Sequence, residues 1–188
     1  MRKIISKRAV NKVSGLLVLI LGFSGQAHAQ TQTTLTPADY IEIQQLVNKL
    51  TIALDYCTNG GQDFADLFIP GGKFVIDLGD GKPMVNSTRE ELVALAWGPD
   101  CAARFKAPAS YILHLSASLV IEPTAEGARG LSYAIYPAKN GHYLNEETAG
   151  QLGIFYDEYI KTPQGWRFKS RRHDTKPVPG QVDLYPKP

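Results

Sequence analysis

The chain lacks most of the devices that declare a function at once. Its 188 residues hold only two cysteines, which rules out a disulfide-dense scaffold and a cysteine-rich zinc domain. It has no Gly-rich phosphate loop, no metal-binding histidine pair, no nucleophile elbow and no dinucleotide fingerprint. Nothing in the sequence calls for a cofactor or a metal. Long hydrophobic runs are missing too: the one apolar stretch, residues 13–23, falls short of the about twenty residues that a spanning helix needs. A bundle of membrane helices is thereby excluded. What is there, 44% hydrophobic and 20% charged residues, is the profile of one globular domain with a sizeable core.

Charge of one sign is scarce overall, at 20 Lys plus Arg against 18 Asp plus Glu, but its distribution is uneven. Arg2, Lys3, Lys7, Arg8 and Lys12 precede the apolar stretch, and Ala27-His28-Ala29-Gln30 follows it. Basic n-region, short h-region and small-x-small site together predict a secretory signal peptide over 1–29, cleaved after Ala29. The protein is then periplasmic or secreted, of bacterial type. The mature part keeps 15 basic and 18 acidic residues, so no basic stripe remains for a nucleic-acid partner, and no membrane span survives cleavage. Export makes disulfides possible, and an even count points to a Cys57–Cys101 bridge. The other reading is two separate buried thiols.

Residues 30–35 are polar and read as a flexible N-terminus. Thr36-Pro37-Ala38-Asp39 is a helix start, with Thr36 as N-cap, Pro37 at the first position and Asp39 near the positive dipole end. Ile43, Leu46, Val47, Leu50, Ala53, Leu54 and Cys57 then form a core stripe. Ile41 and Ile52 lie on the other side, as if the helix were sandwiched. A second helix is predicted over 63–68, closed by Pro70-Gly71-Gly72, then strands over 74–78 and 83–85. Ser87-Thr88-Arg89-Glu90 reads as a capping box for a third helix through Trp97. Four long strands follow, over 111–121, 128–137, 152–162 and 166–174, with a polar loop over 139–150 that holds His142. A Pro-rich tail over 175–188 ends the chain. Helices first and an antiparallel meander last make an α+β domain over 36–174.

This order resembles the SnoaL-like branch of the nuclear-transport-factor-2-like superfamily. The pieces that carry the resemblance are Ala38-Asp39-Tyr40-Ile41-Glu42-Ile43, Ala53-Leu54-Asp55, Phe64-Ala65-Asp66-Leu67-Phe68, and His114 five residues before Leu119-Val120-Ile121-Glu122. Gly130-Leu131-Ser132-Tyr133 and Gly165-Trp166-Arg167-Phe168 complete the set. The resemblance implies a cone: a strongly curved, mainly antiparallel sheet wrapped on three N-terminal helices, with a pocket inside. It does not imply one activity, since this fold hosts dehydratases, isomerases, cyclases and non-enzymes.

The resemblance also assigns roles. Asp55 matches the family's dyad aspartate and His114 its histidine. By periodicity alone Asp55 lies about 140° from the main stripe and would be a surface carboxylate. His114 interrupts an apolar strand and shares a face with Ser116, Ser118 and Val120, while Leu113, Leu115, Ala117, Leu119 and Ile121 share the other. In similar dehydratases the carboxylate orients the imidazole, which removes a proton. Tyr133 is the candidate that polarises a substrate carbonyl, with a core aromatic as its alternative. Tyr56, Phe74, Trp97, Tyr111 and Ser116 are candidate lining residues, core packing being the alternative for the aromatics. His173, beside Arg171 and Arg172 on the last predicted strand, has two readings: it reaches the pocket mouth, or, the favoured one, it is a solvated position on an edge strand. The family's dehydratases often carry a second histidine on the strand after the first; Ser132-Tyr133-Ala134 offers none.

Three readings of function follow. One is a cofactor-free lyase or isomerase acting on a small hydrophobic or aromatic molecule. The second is a non-catalytic domain that binds such a molecule in the same pocket. The third is an assembly role carried by the outer face of the sheet. The apolar strip from Leu113 to Ile121, if outward, needs cover and predicts a homodimer through the sheet.

Overall fold

Helix α1 (Pro37–Tyr56) starts where the sequence places its cap. In the computed structural model, which describes residues 34–101, 114–135 and 153–177, Thr36 Oγ1 accepts the Asp39 N–H and Asp39 Oδ2 accepts the Thr36 N–H at 2.9 Å. The Ile43–Leu46–Val47–Leu50–Ala53–Leu54 stripe is buried. Cys57, at φ 46°, turns the chain out of the helix, and its N–H donates to the Ala53 carbonyl. A 3₁₀ turn (Thr58–Gly61) leads into α2 (Gln62–Ala65). Next come β1 (Phe68–Asp77), β2 (Met84–Asn86) and α3 (Arg89–Leu95). The remaining described strands are β3 (Leu115–Pro123), β4 (Ala128–Ile135), β5 (Gly153–Thr162) and β6 (Gly165–Asp174).

The six described strands make one open sheet in the order β2-β1-β6-β5-β4-β3. Strands β3 to β6 form the expected meander, and β1 joins β6 in parallel as the one non-antiparallel pair. Helix α1 packs on the inner face. Phe64, Phe68, Phe74 and Phe168 fill the space between helices and sheet, with Phe68 and Phe168 centroids 5.2 Å apart. Each such buried ring contributes about 1.5–3 kcal/mol of burial free energy. A polar hub locks the helix start to the β5–β6 hairpin. Asp39 Oδ1 accepts Lys161 Nζ at 2.5 Å and the buried Trp166 Nε1 at 2.9 Å.

Several expectations are corrected. The second helix ends at Ala65, and Phe68 already pairs with Phe168. Pro70-Gly71-Gly72 is an irregularity inside β1 rather than a helix stop, with Gly71 at φ +74°. The third helix ends at Leu95, and its capping box falls one residue later. Thr88 caps, and Glu91 Oε2 accepts the Ser87 and Thr88 N–H groups at 2.8 and 3.0 Å. Helix α1 is not sandwiched along its length: Ile41 and Ile52 are 64% and 55% exposed, because the sheet covers that side only at the last turn.

The apolar strip of β3 is also broken. Ser118 adopts φ 55°, and the register with β4 slips between Ala117 and Val120. A bulge shifts alternation by one residue. Leu119 and Ile121 therefore turn inward onto the core, while Leu115 and Val120 stay exposed on the outer face. Lastly, β6 is a central strand flanked by β1 and β5, so His173 is buried, not edge-solvated. Tyr111, His142 and the tail residues 178–188 lie outside the described residues.

Candidate active site

Asp55 sits in the last turn of α1. Its side of the helix carries Gln44, Asn48 and Thr51 further up, which is why periodicity reads it as surface. At this turn the start of β3 crosses the helix and leaves Asp55 only 5% exposed. Oδ2 accepts the His114 backbone N–H at 2.8 Å, and Oδ1 lies 2.5 Å from His114 Nδ1. This two-point grip fixes the ring against both translation and rotation. With Nδ1–H donating to the carboxylate, the basic lone pair of the neutral ring is on Nε2, the nitrogen turned away from Asp55. The His114 side chain is 18% exposed, so the ring is reachable.

A disulfide stands two residues from Asp55. Cys57 and Cys101 are joined, with Cα atoms 5.8 Å apart and a sequence separation of 44. It ties the end of α1 to the chain beyond the second 3₁₀ turn (Gly98–Asp100), upstream of His114.

The inner face of the sheet carries a second polar group that the sequence reading did not assign. Arg171 is fully buried. Its Nη2 donates to Ser116 Oγ at 2.8 Å, and its guanidinium stacks 3.7 Å from the Phe155 centroid. Its Nε is 3.6 Å from Asp157 Oδ1, and the Tyr159 hydroxyl donates to Asp157 Oδ2 at 2.7 Å. Burial pushes the Asp157 carboxyl up, with Arg171 and Tyr159 opposing. The His173 ring lies 5.0 Å from that of Phe155. Burial, then the neighbouring His114 and Arg171, push its pKa down to about 4, against a smaller opposing effect of Asp174.

The other predicted residues fall in different places. Ser116 is half-buried on the inner face, held by Arg171. Tyr133 is 54% exposed and points outward, since its neighbours Ser132 and Ala134 are the buried ones. It is on the wrong side of the sheet to polarise a substrate held by His114. Phe74 is a core ring packed on Phe64 and Phe68 rather than a lining residue. Tyr56 and Trp97 are partly exposed, at the end of α1 and just beyond α3. Among the described residues no group of three or more His, Cys, Asp or Glu could hold a metal.

Arg171 was missed, and His173 was placed in solvent ahead of the pocket mouth, for a physical reason. Trp166 and Phe168 are inward, so strict alternation sends Ser170 and Arg172 inward as well. The β5–β6 register slips between Glu158 and Tyr159, leaving Lys169 without a cross-strand partner in β5 and turning Arg171 and His173 in instead. The available signal was the chemistry of an Arg and a His two residues apart, late in a strand.

These features define an α+β cone with an aspartate–histidine pair on its inner side. A family model for the SnoaL-like domain matches residues 36–172, and the chain belongs to that family, which includes lyases and isomerases. No curated protein sequence matches. Among solved structures, a cystatin-like-fold protein from Nostoc punctiforme superposes with a TM-score of 0.59 at 18% identity, covering 80% of this chain and all of that one. An NTF2-like protein with a cystatin-like fold from Novosphingobium aromaticivorans gives 0.57 at 16% identity, covering 73% and 81%. LinA gives 0.53 at 22% identity, covering 80% and 95%. At these identities the likeness is one of fold.

Proposed function

We propose that this protein is an exported lyase or isomerase that removes a proton from carbon in a small hydrophobic molecule. His114 Nε2 is the base and Asp55 its orienter. The observation that carries the reading is the grip of one carboxylate on both the backbone N–H and Nδ1 of His114. In the step, Nε2 takes the proton. The C–H electron pair becomes a C=C bond, and either a leaving group departs with its pair or a neighbouring carbonyl takes up the charge and is reprotonated elsewhere. No electron acceptor or cofactor is needed.

The test is a set of small cyclic ketones and halogenated or hydroxylated ring compounds, incubated in D₂O and followed by NMR for C–H exchange or elimination. The mature protein should convert at least one class. His114→Ala should lose turnover by about 10²–10⁴-fold. Equal rates in the two proteins would reject the assignment. We further propose export with cleavage after Ala29, checked by N-terminal sequencing. We also propose a homodimer through the outer sheet face at Leu115, Val120 and Tyr133, checked by light scattering.

A further inference from the structure

The end of α1 is built against local preference. Its last turn, Ala53-Leu54-Asp55-Tyr56, holds no basic side chain and sets the Asp55 carboxylate beside the negative pole of the helix, where an anion is disfavoured. Cys57 then closes the helix at φ 46°, a left-handed position that glycine usually fills. Asn59 follows at φ 50°, so two residues stand in a region that a Cβ disfavours. Left to itself such a terminus frays.

Two ties hold it among the described residues. The first is packing. A Cβ on Gly61 would stand 2.7 Å from the Val93 carbonyl oxygen and 3.4 Å from Gly98 Cα, so the 3₁₀ turn after α1 is pressed onto α3 and the second 3₁₀ turn. The second tie is covalent. Cys57, only 4% exposed, is bonded to Cys101, the residue that follows that second turn. Two residues of helix rise about 3 Å, so the bridge anchors the backbone within one turn of Asp55. Asp55 needs that anchorage. Its oxygens meet both the backbone N–H and Nδ1 of His114, and a shift of about 1 Å breaks at least one of these contacts.

Resting on the proposed role of Asp55 as the orienter of His114, we infer that Cys57 and Cys101 are positioning residues of the site. Their bridge keeps the last turn of α1 closed so that Asp55 grips the imidazole, and the pair is fully assembled only in the oxidised protein. The bridge touches no reacting atom and acts through Asp55. Opening it takes up two electrons and two protons and leaves two thiols. The turn then opens and closes, and the closed fraction sets the turnover. The helix itself stays in place, because the buried stripe from Ile43 to Leu50 and the Asp39 hub at the other end hold it on the sheet.

The test compares the wild type with the double variant Cys57→Ala, Cys101→Ala at a temperature where far-UV circular dichroism shows both folded. One readout is the downfield Nδ1–H proton of His114 in ¹⁵N-edited spectra, which reports the Asp55 contact without any substrate. The other is kcat and KM on whichever ring compound the wild type converts. In the double variant the Nδ1–H signal should broaden or vanish, and kcat should fall about tenfold or more with KM changed less than about threefold. Cys57→Gly with Cys101→Ala should recover much of the signal, since glycine relaxes the left-handed cap. Asp39→Asn loosens the opposite end of the same helix, so it should lower stability yet keep both the signal and kcat. If the double variant does not fold, wild type reduced with tris(2-carboxyethyl)phosphine as the two-electron donor gives the same readouts. A wild type that converts no compound would reject the proposed activity and leave the spectroscopic test standing. A wild type without the Nδ1–H signal, an unchanged signal once the bridge is gone, an equal loss in Asp39→Asn, or outright unfolding of both the variant and the reduced protein would each overturn the inference.

Discussion

Asp55→Asn should invert the tautomer of His114, and the structure gives the reason. The carboxylate accepts twice, from the His114 backbone N–H at 2.8 Å and from Nδ1 at 2.5 Å. An amide has one acceptor and one donor end. If its NH₂ faced the backbone N–H, two donors would meet with nothing between them. The oxygen therefore keeps the backbone N–H, and the NH₂ turns to Nδ1. Nδ1 must then accept, which moves the ring proton to Nε2 and removes the lone pair from the side where a substrate would lie. Both contacts survive as neutral hydrogen bonds, so only their charge-assisted part is lost, roughly 1–2 kcal/mol. For a domain of this size that is a fall of about 2–8 °C in Tm. Turnover should fall about 10²–10⁴-fold, far more than so small a stability change explains. Long-range ¹H–¹⁵N spectra at neutral pH should show Nδ1–H in the wild type and Nε2–H in the variant. The double variant Asp55→Asn, His114→Ala should be little worse than His114→Ala alone. An Nδ1–H tautomer retained in Asp55→Asn, or fully additive losses, would refute the reasoning.

Three further outcomes concern stability. Reducing Cys57–Cys101, or replacing both by Ser, should cost about 4 kcal/mol in urea unfolding for a closed loop of this length. Asp39 is held below the ordinary carboxylate range chiefly by Lys161, then by Thr36 and Trp166. Its folded pKa is depressed, so its contribution is complete above the unfolded pKa of about 3.9 and is lost as pH falls through the lower folded value. Asp39→Asn should therefore be clearly less stable than wild type at neutral pH, with the gap closing toward strong acid as followed by tryptophan fluorescence. Arg171→Met should cost about 3–5 kcal/mol by leaving Asp157 buried without its cation, and adding Asp157→Leu should recover much of that in thermal melts.

Local chemistry was the legible part. Thr36-Pro37 announced α1, its apolar stripe announced the core, and the turns between late strands announced the meander. Asp55 and His114 lie 59 positions apart, and only the resemblance to a family joined them. Single-residue slips defeated the alternation arguments: Ser118 reversed the outer strip of β3, and the irregularity at Lys169 turned Arg171 and His173 inward. Asp39 looked like a dipole partner because its larger role depends on Lys161 and Trp166, more than a hundred residues away. A parallel β1–β6 contact leaves no local mark at all, so the last strand looked like an edge.

That contact makes biosynthesis order matter. Phe68 pairs with Phe168, and β6 brings Arg171 and His173 with it, so the strand made last supplies both a partner for β1 and one wall of the interior. Pairings of such long sequence separation form slowly, after the chain closes a large loop. A nascent chain that ends before Gly165 has an open edge along β1 and an incomplete interior. It should therefore be soft and protease-sensitive at every intermediate length. Completion of the interior waits for β6, the last of the described strands.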